Sequence, residues 1–467
     1  MHRRECAPVP CRFLPSSIND QFKGFGVVVG RIIAIVGALF LLGACSTWYG
    51  EDDDIPLPGE RISVMKLESA LTPDPRLVDL AVRLPKPFPN AEWPQAGGVP
   101  NHAMHHLSAK GELTEIWRAD IGDGSNSNAQ LITSPIVVRK RVFTMDTDGQ
   151  VQALDSANGD VVWQTKLVAK NDGDNDKMTS GGIAFSNGRI FVTTGFAELI
   201  VLDASNGRVT WRRTLNAPMR AAPTIFKGRV FVVTIANELH ALDSRDGRTL
   251  WSHVGIAEPA GLLGGASPAA NSSVVITAYS SGEIVALRPE NGRVVWSDSL
   301  TALRRTDPVS TLAHILGHPV IDRGRVVASS NSGRTVAIDL RTGSRLWEQG
   351  FGSTYGAWVS GEFIYLMSTN AEIVCLARRN GGIRWVRQLQ QFKDEEDREN
   401  PIFWSGPVLA GDRILVGGSH GELWSISPYT GSLLGRVDVG GAVYLPVVVA
   451  QDTVFVLTDD ADLIALR

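Results

Sequence analysis

Cysteine is scarce in this chain: four residues in 467, at positions 6, 11, 45 and 375. Two of them precede an apolar run and a third closes it, so no disulfide framework can be drawn through the body of the protein. Methionine is equally rare, with 7 residues, and long helical patterns are few. No stripe of basic residues stands out and the formal net charge is −4, which removes the electrostatic footprint that nucleic-acid binding requires. The apolar run at 32–44 spans only thirteen residues, too short for a bilayer-crossing helix of ~20. What the chain has in quantity is glycine, 47 residues, set among valine-rich runs, a composition that points to many short strands joined by turns.

The run at 32–44 has the length of a signal h-region, is preceded by Lys23 and Arg31, and ends in Leu41-Leu42-Gly43-Ala44-Cys45. That ending resembles a bacterial lipoprotein processing site, where small residues precede a cysteine whose thiol accepts a diacylglycerol. The resemblance implies a signal peptide over 1–44 and lipid on Cys45, the first residue of the mature chain. Ser46 in place of Asp implies sorting to the outer membrane, and acyl chains at ~0.8 kcal/mol per buried methylene make such an anchor effectively permanent. The stretch before Lys23 is long for an n-region, so translation can begin later than Met1, near the valines at 27–29. Residues 45–92 are expected to form an extended tether, because Glu51-Asp52-Asp53-Asp54 and the prolines at 56, 58, 73, 75, 85, 87 and 89 cannot build a core.

From residue 93 onward the chain repeats. The unit is two hydrophobic strands, a small residue, a hydrophobic one, a turn of the form Asp-x-x-x-Gly, and a Trp four residues after the glycine. The clearest copy is Ala153, Asp155, Gly159 and Trp163; the same offsets give Asp203, Gly207, Trp211 and Asp243, Gly247, Trp251. They recur as Arg288, Gly292, Trp296, then Asp339, Gly343, Trp347, then Ala377, Gly381, Trp385. A seventh copy, Ser427 and Gly431, has Gly435 where Trp is expected. Glycine supplies the positive φ of the turn, and Asp can bind the turn's own backbone. Each Trp is expected to lie over the turn of its own unit, against the small residue two places before the Asp position. These small residues are Ala153, Val201, Ala241, Ala286, Ala337, Cys375 and Ser425, which makes Cys375 a packing residue.

The last residues, Ala465-Leu466-Arg467, stand where one more turn should begin, and residues 113–119, with Trp117, supply the outer strand that this last unit lacks. Seven complete units and one split unit predict an all-β chain, an eight-bladed β-propeller over 93–467 closed by pairing of N-terminal and C-terminal strands. The docking tryptophans are then Trp117, Trp163, Trp211, Trp251, Trp296, Trp347 and Trp385.

The Ala-x-Asp-x-x-x-Gly-x-x-x-Trp unit resembles the tryptophan-docking motif of quinoprotein-like (PQQ-like) propellers, and Trp93-Pro94-Gln95-Ala96-Gly97-Gly98 is similar to the way such propellers begin. With a lipoprotein signal and a proline-rich tether, the chain resembles the BamB family of outer-membrane assembly lipoproteins. That resemblance implies a non-catalytic scaffold on the periplasmic face of the outer membrane, monomeric within a hetero-oligomeric complex. Its partners would be the central β-barrel subunit of the assembly machinery and that subunit's associated lipoproteins. A periplasmic PQQ-dependent dehydrogenase and another periplasmic binding propeller stand as alternatives.

Sequence signals for chemistry are weak. Alcohol dehydrogenases of the quinoprotein class carry adjacent cysteines beside the quinone, and this chain has no Cys-Cys pair. Asp172-Gly173-Asp174-Asn175-Asp176 has the clustered oxygens of a calcium loop, but Lys177 holds the glycine place and Ile183 the place of the bidentate glutamate. His102, His105 and His106 cluster without a second spaced pair. No metal, cofactor or catalytic residue is therefore expected. Four long segments, 166–180, 255–267, 299–317 and 388–405, all fall between a Trp strand and the next inner strand, which places them on one face of the ring, the usual binding side of a repeat protein. The family resemblance implies a partner contact at Met219-Arg220-Ala221-Ala222-Pro223, carried over as Met219 and Arg220 only. A second family contact, two aspartates before Thr-Thr-Pro, matches His314-Ile315-Leu316-Gly317-His318-Pro319, where neither aspartate is kept.

Overall fold

The computed structural model describes residues 71–169, 180–301 and 312–467. The lipidation site Cys45, the signal and the acidic 172–176 stretch lie outside the described residues. Within them, the hydrophobic runs become strands buried on both faces, such as Phe363–Met367 and Glu372–Ala377, in which every residue is buried. The Trp strands alternate instead: Val161–Lys166 and Thr249–Val254 turn every second side chain outward.

These strands assemble into eight four-stranded antiparallel sheets. The first blade runs through Ile136–Val138, Arg141–Met145, Gln150–Asp155 and Val161–Lys166, in order from the centre outward, and the next six repeat that order. The eighth joins the two ends of the domain. Val448–Ala450, Thr453–Leu457 and Asp462–Leu466 are completed by Glu115–Asp120, with Trp117 opposite Ala465 and Asp120 opposite Asp462. An acidic hairpin of Phe392–Asp394 and Glu399–Pro401 stands between the sixth and seventh blades. The apolar clusters lie between neighbouring blades rather than inside any one; Val151 and Ala153 of the first blade pack with Ile190, Val192 and Ile200 of the second.

Every Trp sits opposite the predicted small residue, Trp163 across from Ala153 and Trp385 across from Cys375, with the register slipping at the next residue. The indole does not cover the turn of its own blade, as expected from the sequence, but the turn of the following one. A Cβ built on Gly207 would meet the six-membered ring of Trp163 at 2.5 Å, and one on Gly159 would meet Trp117 at 2.7 Å. The seven turn glycines all have φ between +71° and +78°, and the indole occupies the space where a side chain would stand, so both constraints select glycine. Trp163 Nε1–H then donates to Ala204 O, and Trp296 and Trp347 donate to Leu340 O and Arg378 O. Gly435 needs no indole, because the eighth blade's last two strands come from opposite ends of the domain and carry no such turn. The twist of the strand carries the ring forward to its neighbour, a direction the one-dimensional spacing does not encode.

A second tie runs under the ring. Residues 90–107 form an irregular strap that reaches all eight blades near the ends of their inner strands. The Asn90 carbonyl accepts from Gln451 N–H, Trp93 exchanges two bonds with Val137, and Pro94 O accepts from Phe185 N–H. Gln95 Oε1, Pro100 O and Asn101 O accept from Ile225, Ala270 and Ile321, while His105 O accepts from the Trp358 indole. Leu107, fully buried, bonds to Leu409 and Gly411. The described part of the segment read as a tether, 71–92, also contacts the ring: Asp74 N–H donates to Ile383 O and Arg384 Nε–H to Leu80 O.

Trp385 is 5% exposed and its N–H is bonded to Pro428 O, whereas Trp211 is half-buried with an unpartnered N–H. Trp385→Ala is expected to lower stability by ~3–5 kcal/mol and Trp211→Ala by clearly less. Urea unfolding midpoints of the two variants check this; equal midpoints would contradict the inter-blade packing described.

Candidate functional site

All connections from an outer strand to the next inner strand lie on one face, opposite the strap. Two of the four long segments marked in the sequence are described in full, 255–267 and 388–405; parts of the other two, 170–179 and 302–311, lie outside the described residues. The crossovers surround a central well of about 570 Å³ whose floor includes Ala96 of the strap. Its wall is apolar and small, with Ile132, Ala221, Leu263, Leu316 and six glycines, and its rim carries Tyr355, Phe403 and Tyr444. Close passage of neighbouring crossovers explains the glycines: a Cβ on Gly182 would meet Ala222 and one on Gly317 the Tyr355 backbone, both at about 2.5 Å or less. Phe403 is 58% exposed, with its ring 6.4 Å from that of Tyr444.

Met219 and Arg220 separate here. Met219 is fully buried among Phe191, Val201 and Val230, so the contact carried over to it from the family is corrected. Its role is to pin the crossover into the core, helped by its N–H donating to Thr194 O. Arg220 is half-buried at the wall of the well and makes no hydrogen bond or ion pair with any described residue. The fold also brings His314, Leu316 and His318 of the second matched stretch to the same well or to the pocket beside it.

No cluster of three or more metal-ligating side chains occurs among the described residues, and His102 and His106 are each bonded to a backbone carbonyl. His106 is fully buried; Asp412 N–H donates to its Nε2, so its Nδ1–H donates to Pro85 O. His102 Nδ1–H donates to Pro319 O, and its ring lies 5.1 Å from that of His318, whose Nδ1 accepts from Ser267 N–H. Burial, with the neighbouring His318 adding to it, holds His102 down to about 3. Burial alone holds His318 at about 4. His314 is also held at about 4 by burial and then by the positive charge of Arg220.

A pyrroloquinoline quinone with its divalent cation needs several cationic partners and clustered oxygen donors. Among the described residues, the charged side chains lining the well are Arg220 and Asp459, and Asp459 already accepts from the Ser125 hydroxyl. Cys375, the one described cysteine, is fully buried opposite Trp385, and burial raises its thiol far above the usual range. The residues present do not fit that group.

The profile of the family described as "Outer membrane protein assembly factor BamB" matches residues 109–172, 147–387 and 390–467. The chain belongs to the BamB family. It is 31% identical over 343 residues to outer membrane protein assembly factor BamB of Escherichia coli (strain K12), covering 73% of this chain and 84% of that relative. The crystal structure of BamB from Moraxella catarrhalis superposes with a TM-score of 0.65 at 20% identity, covering 76% of this chain and all of that one. The quinohemoprotein alcohol dehydrogenase from Comamonas testosteroni shares the fold too, with a TM-score of 0.63 at 13% identity and 80% coverage of each chain. The fold is thus shared with a solved structure of an assembly factor and with one of an enzyme.

Each of these three histidines titrates lower in the folded protein than the ordinary 6.5, so the unfolded chain binds more protons between about 4 and 6.5. Stability is therefore expected to be full above that window and to fall as pH drops through it. His318→Asn keeps an acceptor for Ser267 N–H and removes one such proton, which should flatten the slope by up to ~1.4 kcal/mol per pH unit. Urea unfolding across this range checks it; an unchanged slope would contradict the buried neutral imidazole.

Proposed function

We propose that this protein is a non-catalytic scaffold of outer-membrane protein assembly that holds the central β-barrel subunit of the machinery against its crossover face. Lipid on Cys45 anchors it to the periplasmic face of the outer membrane, and it works as one copy within a complex that includes the other lipoproteins. The observation that carries the reading is Arg220: a guanidinium with no described partner, at the wall of an apolar well, on the face where the long crossovers gather. A planar fork of that kind binds a carboxylate or paired carbonyls, and the aromatic rim of Phe403 and Tyr444 supplies rigid apolar area around it. Membership of a family whose curated relatives are named assembly factors supports the same reading. The misfit of the well to a quinone and its cation supports a binding role over a catalytic one.

Reversal of the charge in Arg220→Glu is expected to weaken association with the barrel subunit by ~2 kcal/mol, roughly thirtyfold, with the melting temperature of the ring unchanged. Co-purification of the barrel subunit with membrane-extracted protein measures this, and undiminished recovery would overturn Arg220 as a contact.

A further inference from the structure

Beside the well, between the third and fourth blades, a second cavity of about 370 Å³ opens, and Arg220 lies at the junction of the two. Part of its polar wall is internally matched. Asn237 donates to Ile256 O and accepts from both the backbone and the hydroxyl of Ser280. Three donors are left over. Arg220 has no described partner. His314, 8% exposed, accepts Leu262 N–H on Nδ1, which puts its proton on Nε2, where no described residue accepts it. The hydroxyl of Thr234, a residue 2% exposed, is buried and unpartnered. The one carboxylate among the lining residues, Glu258, is an exposed group that makes no ion pair with a described residue.

One buried orphan, the Thr234 hydroxyl, with two donors of the cavity wall that no described residue accepts, the half-buried Arg220 guanidinium and the His314 Nε2–H, defines the chemistry of what would complete the cavity. We infer that this side pocket binds a carboxylate, with the Arg220 guanidinium, the His314 Nε2–H and the Thr234 hydroxyl as its donors. One full positive charge and two neutral donors match a single negative charge better than the double charge of a phosphate ester. The positive potential that helps hold His314 neutral is the same potential that would attract the anion. In the docking reading, on which the identity of the ligand rests, the carboxylate is an acidic side chain of the barrel subunit inserted beside the well.

The test uses the full purified chain without any partner, with its histidines labelled with nitrogen-15. N-acetylglutamate α-amide is titrated in at neutral pH, with N-acetylglutamine α-amide as the uncharged control. The glutamate probe is expected to shift the His314 signals saturably and to raise the pH at which His314 titrates, while the glutamine probe does neither. Thr234→Val, nearly isosteric, should weaken the probe several-fold, and Arg220→Gln by about tenfold or more. Absence of saturation, or an equal response to the glutamine probe, would overturn the pocket. Since no partner is present, that failure is distinct from retention of the barrel subunit by Arg220→Glu, which would overturn the docking reading and leave the pocket standing.

Discussion

The contact on which this ring depends is an indole laid on a glycine of the next blade. It is made seven times, from Trp117 on Gly159 to Trp385 on Gly431, and each time it occupies the volume a side chain would need. A blade by itself leaves both faces of its inner strands exposed, and the apolar clusters form only where two blades meet. The Trp seals the outer end of that interface and, in most copies, closes it with a hydrogen bond to a carbonyl of the neighbouring turn. The one interface without the indole lies between the seventh and eighth blades, where Arg118 of the eighth donates to Val439 O just past the outer strand of the seventh. Closure of the eighth sheet and absence of the eighth Trp are one fact seen from two sides.

The strap has a complementary role. Indoles tie neighbours at the rim, whereas residues 90–107 tie all eight blades at the hub, mostly through backbone groups, with the Gln95 side chain and the Trp358 indole serving the third and sixth blades. It also contributes Ala96 to the lining of the well on the crossover face. Ligand access and the long crossovers thus share one side of the molecule. Buried His102 joins the strap to the entry of the fifth blade, and buried His318 joins that entry to the crossover before the fourth blade, both by bonds that suit neutral imidazoles.

The blades and their number were legible because a propeller writes the same local chemistry many times. An Asp that binds its own turn, a glycine with positive φ and a Trp at fixed spacing each follow from neighbours within about ten residues. Where the indole goes was not legible, since strand twist rather than spacing sends it to the next blade. The strap was equally hidden. Its bonds are backbone bonds made by Pro94, Pro100 and Asn101, which follow no period, and a proline-rich stretch reads as a spacer. Met219 shows a third limit: an exposed contact and a core anchor are the same residue type, and only the inward turn of the crossover distinguishes them. The side pocket gathers Arg220, Thr234 and His314 from three separate stretches of chain; the first and last stand in the matched family stretches, but nothing in the sequence joins them to each other or to Thr234.

If the eighth blade is as integral as the other seven, its strand from the start of the domain opens only when the whole ring opens. Native-state hydrogen exchange of the Glu115–Asp120 and Asp462–Leu466 amides measures this directly, with Glu283–Leu287 of the fourth blade as reference. The account predicts that the hydrogen-bonded amides of both sets exchange through the same global opening and share one free energy. Faster exchange of Glu115–Asp120 by local fraying, with the fourth blade still protected, would contradict a ring closed by its two ends.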